Sequence, residues 1–231
     1  MADWISFWNG SHSIYVSDRH RKAHFERIAA DLARAVPHPT ARVLDYGCGE
    51  ALSADRLARH CAQLVLCDAA ASVRARAADR FAGDVRIAVM SPEEVAALPD
   101  GSFDLIVLNS VSQYLSREGL WDLLVLWRRL LADDGLLLLA DVIPSDTNAL
   151  ADAAALLRFG MQEGFFLSAL GGLTRLAASP YRRLRAEIGL TSYTEGEIAA
   201  MLATAGLAGE RTRPNVGYNQ RRMAFQARRA P

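Results

Sequence analysis

Lysine is almost missing from this chain. Lysine and arginine together number 26, and Lys22 is the only lysine. A GC-rich genome explains that bias without any function. Excess charge is missing as well: 26 acidic residues balance the 26 basic ones. Proteins that bind nucleic acids usually carry a basic surplus, so no nucleic-acid partner is expected. Cysteine is scarce, with Cys48, Cys61 and Cys67 forming an odd set without CxxC spacing. A disulfide framework and a zinc site are therefore not expected, and a reducing, cytoplasmic setting is. No apolar run approaches the roughly 20 residues needed to cross a bilayer. The opening Met1-Ala2-Asp3-Trp4 lacks the basic region and apolar core of a signal peptide.

What remains is an ordinary globular composition, 51% apolar over 231 residues, enough for one α/β domain with an elaboration. Residues 18–36 have helical spacing through Phe25, Ile28, Ala29 and Leu32, and Pro37 ends the pattern. Continuous apolar runs then alternate with helical ones. Strands are expected at about 41–46, 63–67, 84–89, 103–108 and 135–140. Helices are expected at about 50–60, 70–82, 92–97 and 117–132. Strands of this kind predict a parallel sheet covered on both faces. The alternation stops at 146–189, which reads as an inserted helical cap. A helix at about 194–206 and strands at roughly 208–214 and 221–228 close the chain. The expected units are a lid and helix over 1–37, a core over 38–145, the cap over 146–190 and a core-completing segment over 191–231.

The first strand runs into Asp45-Tyr46-Gly47-Cys48-Gly49-Glu50, and the second ends in Cys67-Asp68-Ala69. A nucleotide-like ligand fits between two such strand ends. Glycines at 47 and 49 let backbone approach it closely, since no Cβ intervenes. A dinucleotide fingerprint would need a third glycine where Leu52 stands. An acid before the first glycine suits an ammonium group better than a pyrophosphate. The order Asp-x-Gly-x-Gly resembles the cofactor loop of class I S-adenosylmethionine-dependent methyltransferases. That resemblance implies a Rossmann-like three-layer α/β/α sandwich. Its seven-stranded mixed sheet has strand 7 antiparallel, and here it carries an N-terminal lid and a helical cap. It implies S-adenosylmethionine as cofactor and S-adenosylhomocysteine as product.

In the resemblance Asp45, Gly47, Cys48 and Gly49 form the cofactor loop, and Asp68 with Ala69 receives the ribose hydroxyls. Ser91, Pro92 and Glu93 follow strand 3, where the family reads adenine. Ser91 replaces the acid common there. Asn109-Ser110-Val111-Ser112-Gln113-Tyr114 is similar to the motif of methyltransferases embedded in peptide synthetases. Asn109, Ser110 and Gln113 would then line the methionine part, with Gln113 and Tyr114 near the transferred methyl. Plainer roles stand beside these. Asp45 could brace the loop through backbone N–H groups, Asp68 could be a helix N-cap, and Tyr114 could simply pack. Cys48 reads as a loop filler.

Methyl transfer needs alignment, exclusion of water and sometimes a base. Trp4 to Tyr15 is rich in aromatics and is expected to fold over the cofactor, with Trp8 and Tyr15 facing sulfonium or acceptor. His20 and His24 share a helix face. One reading makes His20 a base or, with Arg19, a partner of the cofactor carboxylate. The other leaves both histidines at a helix edge. His12 is an equal candidate for the base. The cap apolars Phe159, Met161, Phe165, Phe166, Leu167 and Leu170 either hold the cap down or line an acceptor pocket. Arg175, Arg182, Arg183 and Arg185 either meet an acidic acceptor or lipid head groups at a membrane surface, or are solvated. Tyr218 or Asn219 could touch the acceptor. The expected acceptor is a small, partly apolar molecule methylated on nitrogen or oxygen. Methylation of protein or RNA, and a cofactor-binding subunit without activity, are the alternatives.

Overall fold

The computed structural model describes residues 4–10, 15–176 and 189–231, the side chains of 174–176 excepted. His12 and the arginines at 182, 183 and 185 lie outside the described residues, as does the side chain of Arg175.

The apolar runs become the strands β1 (Arg42–Tyr46), β2 (Gln63–Cys67), β3 (Ile87–Met90), β4 (Phe103–Asn109) and β5 (Leu131–Val142), all parallel. β6 (Leu207–Thr212) and β7 (Met223–Arg229) complete a seven-stranded sheet of order β3-β2-β1-β4-β5-β7-β6. β7 is antiparallel to both its neighbours. Two core clusters lie on opposite faces, as the side-chain alternation of β1 requires. Val43, Leu64, Leu105 and Val107 pack with Leu32 and Leu57 from α2 (Asp18–Ala33) and α3 (Ala54–Ala58). Leu44, Ile106 and Leu108 pack with Leu124 and Trp127 from α6 (Arg117–Leu130) and Ile198 from α9 (Glu195–Thr204). α4 (Ala71–Phe81) joins the first face and α5 (Pro92–Ala96) the second.

Local chemistry sets the boundaries that differ from expectation. β3 starts at Ile87, not 84, because Asp84 accepts from Arg86 N at 3.1 Å and folds that stretch into a turn. β5 starts at Leu131, directly after α6, and its register with β4 shifts between Phe103 and Leu105. The cap consists of α7 (Ala149–Glu163) and α8 (Phe166–Leu176), with Gly164 in the left-handed conformation between them. The Pro144–Tyr193 bridge brings the chain back to the sheet after the cap. At the N-terminus a short helix, α1 (Trp4–Asn9), precedes α2.

Candidate active site

β1 and β2 end side by side, with Tyr46 opposite Cys67. Gly47 and Cys48 donate their N–H groups to the Cys67 carbonyl at 2.7 and 3.0 Å, closing the turn onto β2. Gly47 and Gly49 lie at φ 76° and 57°, a region open to glycine at little cost. A Cβ on Gly47 would overlap Val111 from the turn after β4, whereas the space around Gly49 is open. The first glycine therefore answers to a protein neighbour and not to a ligand. Ala51 is also left-handed, at φ 44°, so the turn continues and α3 begins only at Ala54.

Asp68 accepts from Gly49 N at 3.0 Å and from Ala70 N at 2.8 Å. Ala70, not Asp68, is the N-cap of α4. A carboxylate has roughly four acceptor positions, so Asp68 retains capacity for two further donors. Asp45 is different. Among the described residues no hydrogen bond reaches its carboxylate, and burial, followed by Asp68, pushes its pKa up to about 7. Loop bracing is thus the work of Asp68, and Asp45 is left facing the crevice uncompensated. Burial and the two carboxylates push the Cys48 thiol up, consistent with a filler. Ala69 is exposed, and its carbonyl accepts from Arg74 at 2.9 Å. A cavity of about 50 Å³ lies behind the turn, lined by Phe25, Ile28, Asp45, Gly47, Cys48 and Asn109 among others.

After β3, Ser91 accepts from Glu94 N at 3.3 Å and donates its own N–H to the Glu94 carboxylate at 2.6 Å. This capping box, with Pro92 at the first helical position, commits Ser91 to starting α5. Glu93 is exposed in the first turn.

After β4, Asn109 Oδ1 is buried without a hydrogen-bond partner among the described residues, as is Gln113 Oε1. Gln113 Nε2 donates to the Ser110 carbonyl at 2.8 Å. The Tyr114 ring meets Trp4 at 4.5 Å and Trp8 at 5.8 Å between centroids. At the other end of α1, Asn9 accepts from the Ser72 N–H and hydroxyl, both at 3.0 Å. Ser72 follows β2 and Tyr114 follows β4, and β1 lies between those strands. The helix therefore bridges the strand ends that flank the glycine turn.

Arg19 is a correction. Its guanidinium donates to the Glu163 carbonyl at the end of α7, tying α2 to the cap and not to the cofactor loop. Arg21 takes the loop side, bonding Glu50 through Nε at 2.7 Å. His20 is buried and stacked on Phe165 at 4.9 Å. Burial lowers its pKa to about 4, and burial with His20 does the same to His24. Both imidazoles are neutral near pH 7 and weak as bases. They form an aromatic group with Tyr15, Phe159, Phe165 and Tyr218, in which Phe159 and Tyr218 stack at 4.6 Å. Phe159 and Phe165 hold the cap down, while Met161, Leu167 and Leu170 point outward and are 62%, 81% and 52% exposed.

One acid escaped the sequence reading. Asp141 is the penultimate residue of β5, after the apolar run Leu136–Ala140, so a signal was present: an acid at the end of an apolar run. It lies at φ 55° beside Ser110 at φ 61°, two non-glycine residues in the left-handed region. Ser110 Oγ donates to Asp141 Oδ2 at 2.7 Å, and Asp141 N donates to Asn215 Oδ1 at 2.9 Å. Burial raises its pKa, opposed by Arg222, Ser110 and Asn215. Asn219 donates to Asp152 at 2.9 Å, a structural link between the final loop and the cap.

Residues 44–139 match the family model described as a methyltransferase domain. A curated relative, an uncharacterized methyltransferase of Mycobacterium tuberculosis, is 38% identical over 92 residues. That match spans 40% of this chain and 45% of the relative, so the chain covers about half the length of the curated relatives it matches. Among solved structures, magnesium protoporphyrin IX methyltransferase of Synechocystis PCC 6803 with bound S-adenosylmethionine has the same fold. Its TM-score is 0.56 at 17% identity, covering 98% of this chain and 89% of that one. The [4+2]-cyclase SpnF is equally alike in fold, with a TM-score of 0.57 at 16% identity over 89% and 80% of the two chains.

Proposed function

We propose, from the match of residues 44–139 to the family model described as a methyltransferase domain, that the protein methylates nitrogen or oxygen of a small, partly apolar molecule, using S-adenosylmethionine. The observation that carries the reading is the pair of unlike acids at adjacent strand ends. Asp68 is fixed by two backbone N–H groups with capacity remaining. Asp45 is half-buried, without a hydrogen-bonded partner among the described residues, in surroundings that push its pKa up to about 7. A ligand with vicinal hydroxyls and an ammonium group satisfies both, and S-adenosylmethionine carries both. The buried Asn109 Oδ1 beside the cavity fits a donor on the same ligand.

When bound, the cofactor supplies a methyl group on a sulfonium, an activated leaving group. The protein's own residues then have four tasks. Asp68 holds the hydroxyl pair, and Asp45 holds the ammonium. Ser91 is committed as a helix cap, so adenine recognition falls to Pro92 and Glu93. Trp4, Trp8 and Tyr114 keep water from the reacting end, where stray solvent would weaken alignment. His20, neutral and packed on Phe165, serves as a wall and not as the base.

A thermal-shift screen with S-adenosylmethionine, S-adenosylhomocysteine, NAD and NADP tests the reading. A ligand at 100 times its dissociation constant adds about 2.7 kcal/mol, a shift of several degrees. Stabilisation by the two sulfur compounds alone is the expected result. Stabilisation by NAD overturns it. Deleting residues 1–10 should abolish turnover while leaving the circular dichroism spectrum of the core intact; undiminished turnover would remove the lid from the mechanism.

A further inference from the structure

The mechanism above makes no use of Asp141, yet the structure fixes that residue with some care. It stands at the C-terminal edge of the sheet, and the register pairs Asn109 with Ala140, the residue before it. Asn109 lines the cavity behind the glycine turn. Asp141 is therefore separated from the cofactor loop by one strand, β4, on the side of the cap. Its backbone and that of Ser110 hold a conformation that L side chains seldom adopt. Such outliers persist when their surroundings over-determine them, and they gather at functional sites. Here the surroundings are the Ser110 hydroxyl on one side and Asn215 on the other.

The charges around Asp141 do not balance. The titratable groups that act on it or on its neighbours are Arg222, Asp152 and Tyr218. Arg222 directs Nη2 to Asp152 at 2.8 Å, and its buried Nη1 makes no hydrogen bond among the described residues. The guanidinium is therefore shared: it bonds Asp152 and also acts on Asp141, so two carboxylates answer to one cation. Two carboxylates on one cation leave a negative charge uncompensated, which is costly where water is scarce. Asp141 acts on Tyr218, whose ring belongs to an aromatic group with Tyr15, His24 and His20. The two imidazoles are neutral, so they do not repel a cation, and ring faces attract one by about 0.5–2 kcal/mol. His20 Nε2 and His24 Nδ1 are buried without partners among the described residues, two polar atoms still to be matched.

We propose that Asp141 is a catalytic residue that binds the methyl acceptor, and that the acceptor is an amine held as its ammonium between Asp141 and the Tyr15–Tyr218–His24 wall. One N–H proton of the ammonium passes to the Asp141 carboxylate. The nitrogen keeps the bonding pair as its lone pair, and the carboxylate becomes a neutral carboxyl. The burial that raises the pKa of Asp141 favours that transfer. The acceptor class rests on the methyltransferase reading.

The test compares two probes with the same apolar body, 2-phenylethylammonium and 2-phenylethanol, by calorimetry on full-length protein saturated with S-adenosylhomocysteine. The amine should bind at least tenfold tighter than the alcohol, and Asp141→Asn should erase that preference while keeping affinity for S-adenosylhomocysteine. Equal affinity for the two probes, or no binding of the amine, overturns the proposal. So does an undiminished preference in Asp141→Asn. The probe comparison uses the wild-type chain, so it decides even where the variant does not fold. Binding of S-adenosylhomocysteine, read in the same samples, separates this inference from its premise. If that ligand binds without amine preference, only the amine inference fails. If it does not bind, the methyltransferase reading fails.

Discussion

The two halves of the sheet's C-terminal edge hold their polar groups in opposite ways. Over β1 and β2, backbone does the holding: Asp68 is fixed by Gly49 and Ala70, and the glycine turn by the Cys67 carbonyl. Over β4 and β5, side chains from distant segments do it. Asn215 fixes Asp141, the cap's Asp152 fixes Arg222, and the rings of α2, α7 and the last loop fix one another. That second half also contains buried polar atoms without partners among the described residues, on Asn109, Gln113, His20, His24 and Arg222. Buried polar groups are normally paired, so on the proposed reading this half is the one that meets the acceptor. A loop fixed by its own backbone can serve one cofactor under many caps.

The contrast can be broken most sharply inside the cap. Phe165→Ala should cost about 3–5 kcal/mol, because the ring is buried and supports His20. Chemical denaturation would show it, and acceptor-side function should fall while S-adenosylhomocysteine still binds. Asp68→Ala should weaken S-adenosylhomocysteine by about 1.5–3 kcal/mol, the range for charge-assisted bonds. Unchanged affinity by calorimetry would take Asp68 out of the site.

Asp45→Asn sharpens the comparison through pH. An unfolded Asp45 ionises near 3.8, and the folded one near 7. Between those values the folded chain holds a proton that the unfolded chain has released. The group's contribution to stability is therefore greatest below pH 4, falls as pH rises towards 7 and stays low above it. At pH 8 the variant should melt a few degrees higher than wild type, at about 2–4 °C per kcal/mol for a chain of this size. It should also bind S-adenosylhomocysteine poorly. For the wild type, affinity should rise with pH through about 7 as the carboxylate becomes charged for its ammonium partner. A melting temperature unchanged by the substitution at pH 8 would refute the uncompensated acid. The smallest effect is expected at the cap's outer face. Leu167→Ser, at a side chain 81% exposed, should alter stability by less than about 0.5 kcal/mol.

The strand ends were legible in the sequence because their constraints are local. An apolar run, an acid and two glycines within five residues describe a turn that backbone geometry enforces. The sheet order, with strand 7 antiparallel, followed from the resemblance. What sequence did not convey was tertiary. Nothing near Arg19 announces that it will reach the end of a helix 144 residues away. The burial of His20 depends on Phe165, from the cap. Asp141 closes an apolar run as plainly as Asp45 does, but no glycine follows to mark it. Its left-handed backbone is held by partners at 110 and 215 that only the fold brings near.

The contact between the first glycine and Val111 has an evolutionary consequence. The two positions belong to different motifs and lie 64 residues apart, yet a side chain at 47 and a branched one at 111 compete for the same space. Drift at one should be legible as drift at the other: chains that carry a smaller residue at 111 are where an alanine or serine at 47 should first be tolerated. Substitutions at 49, with open space around it, should wander independently, limited by its backbone angle alone.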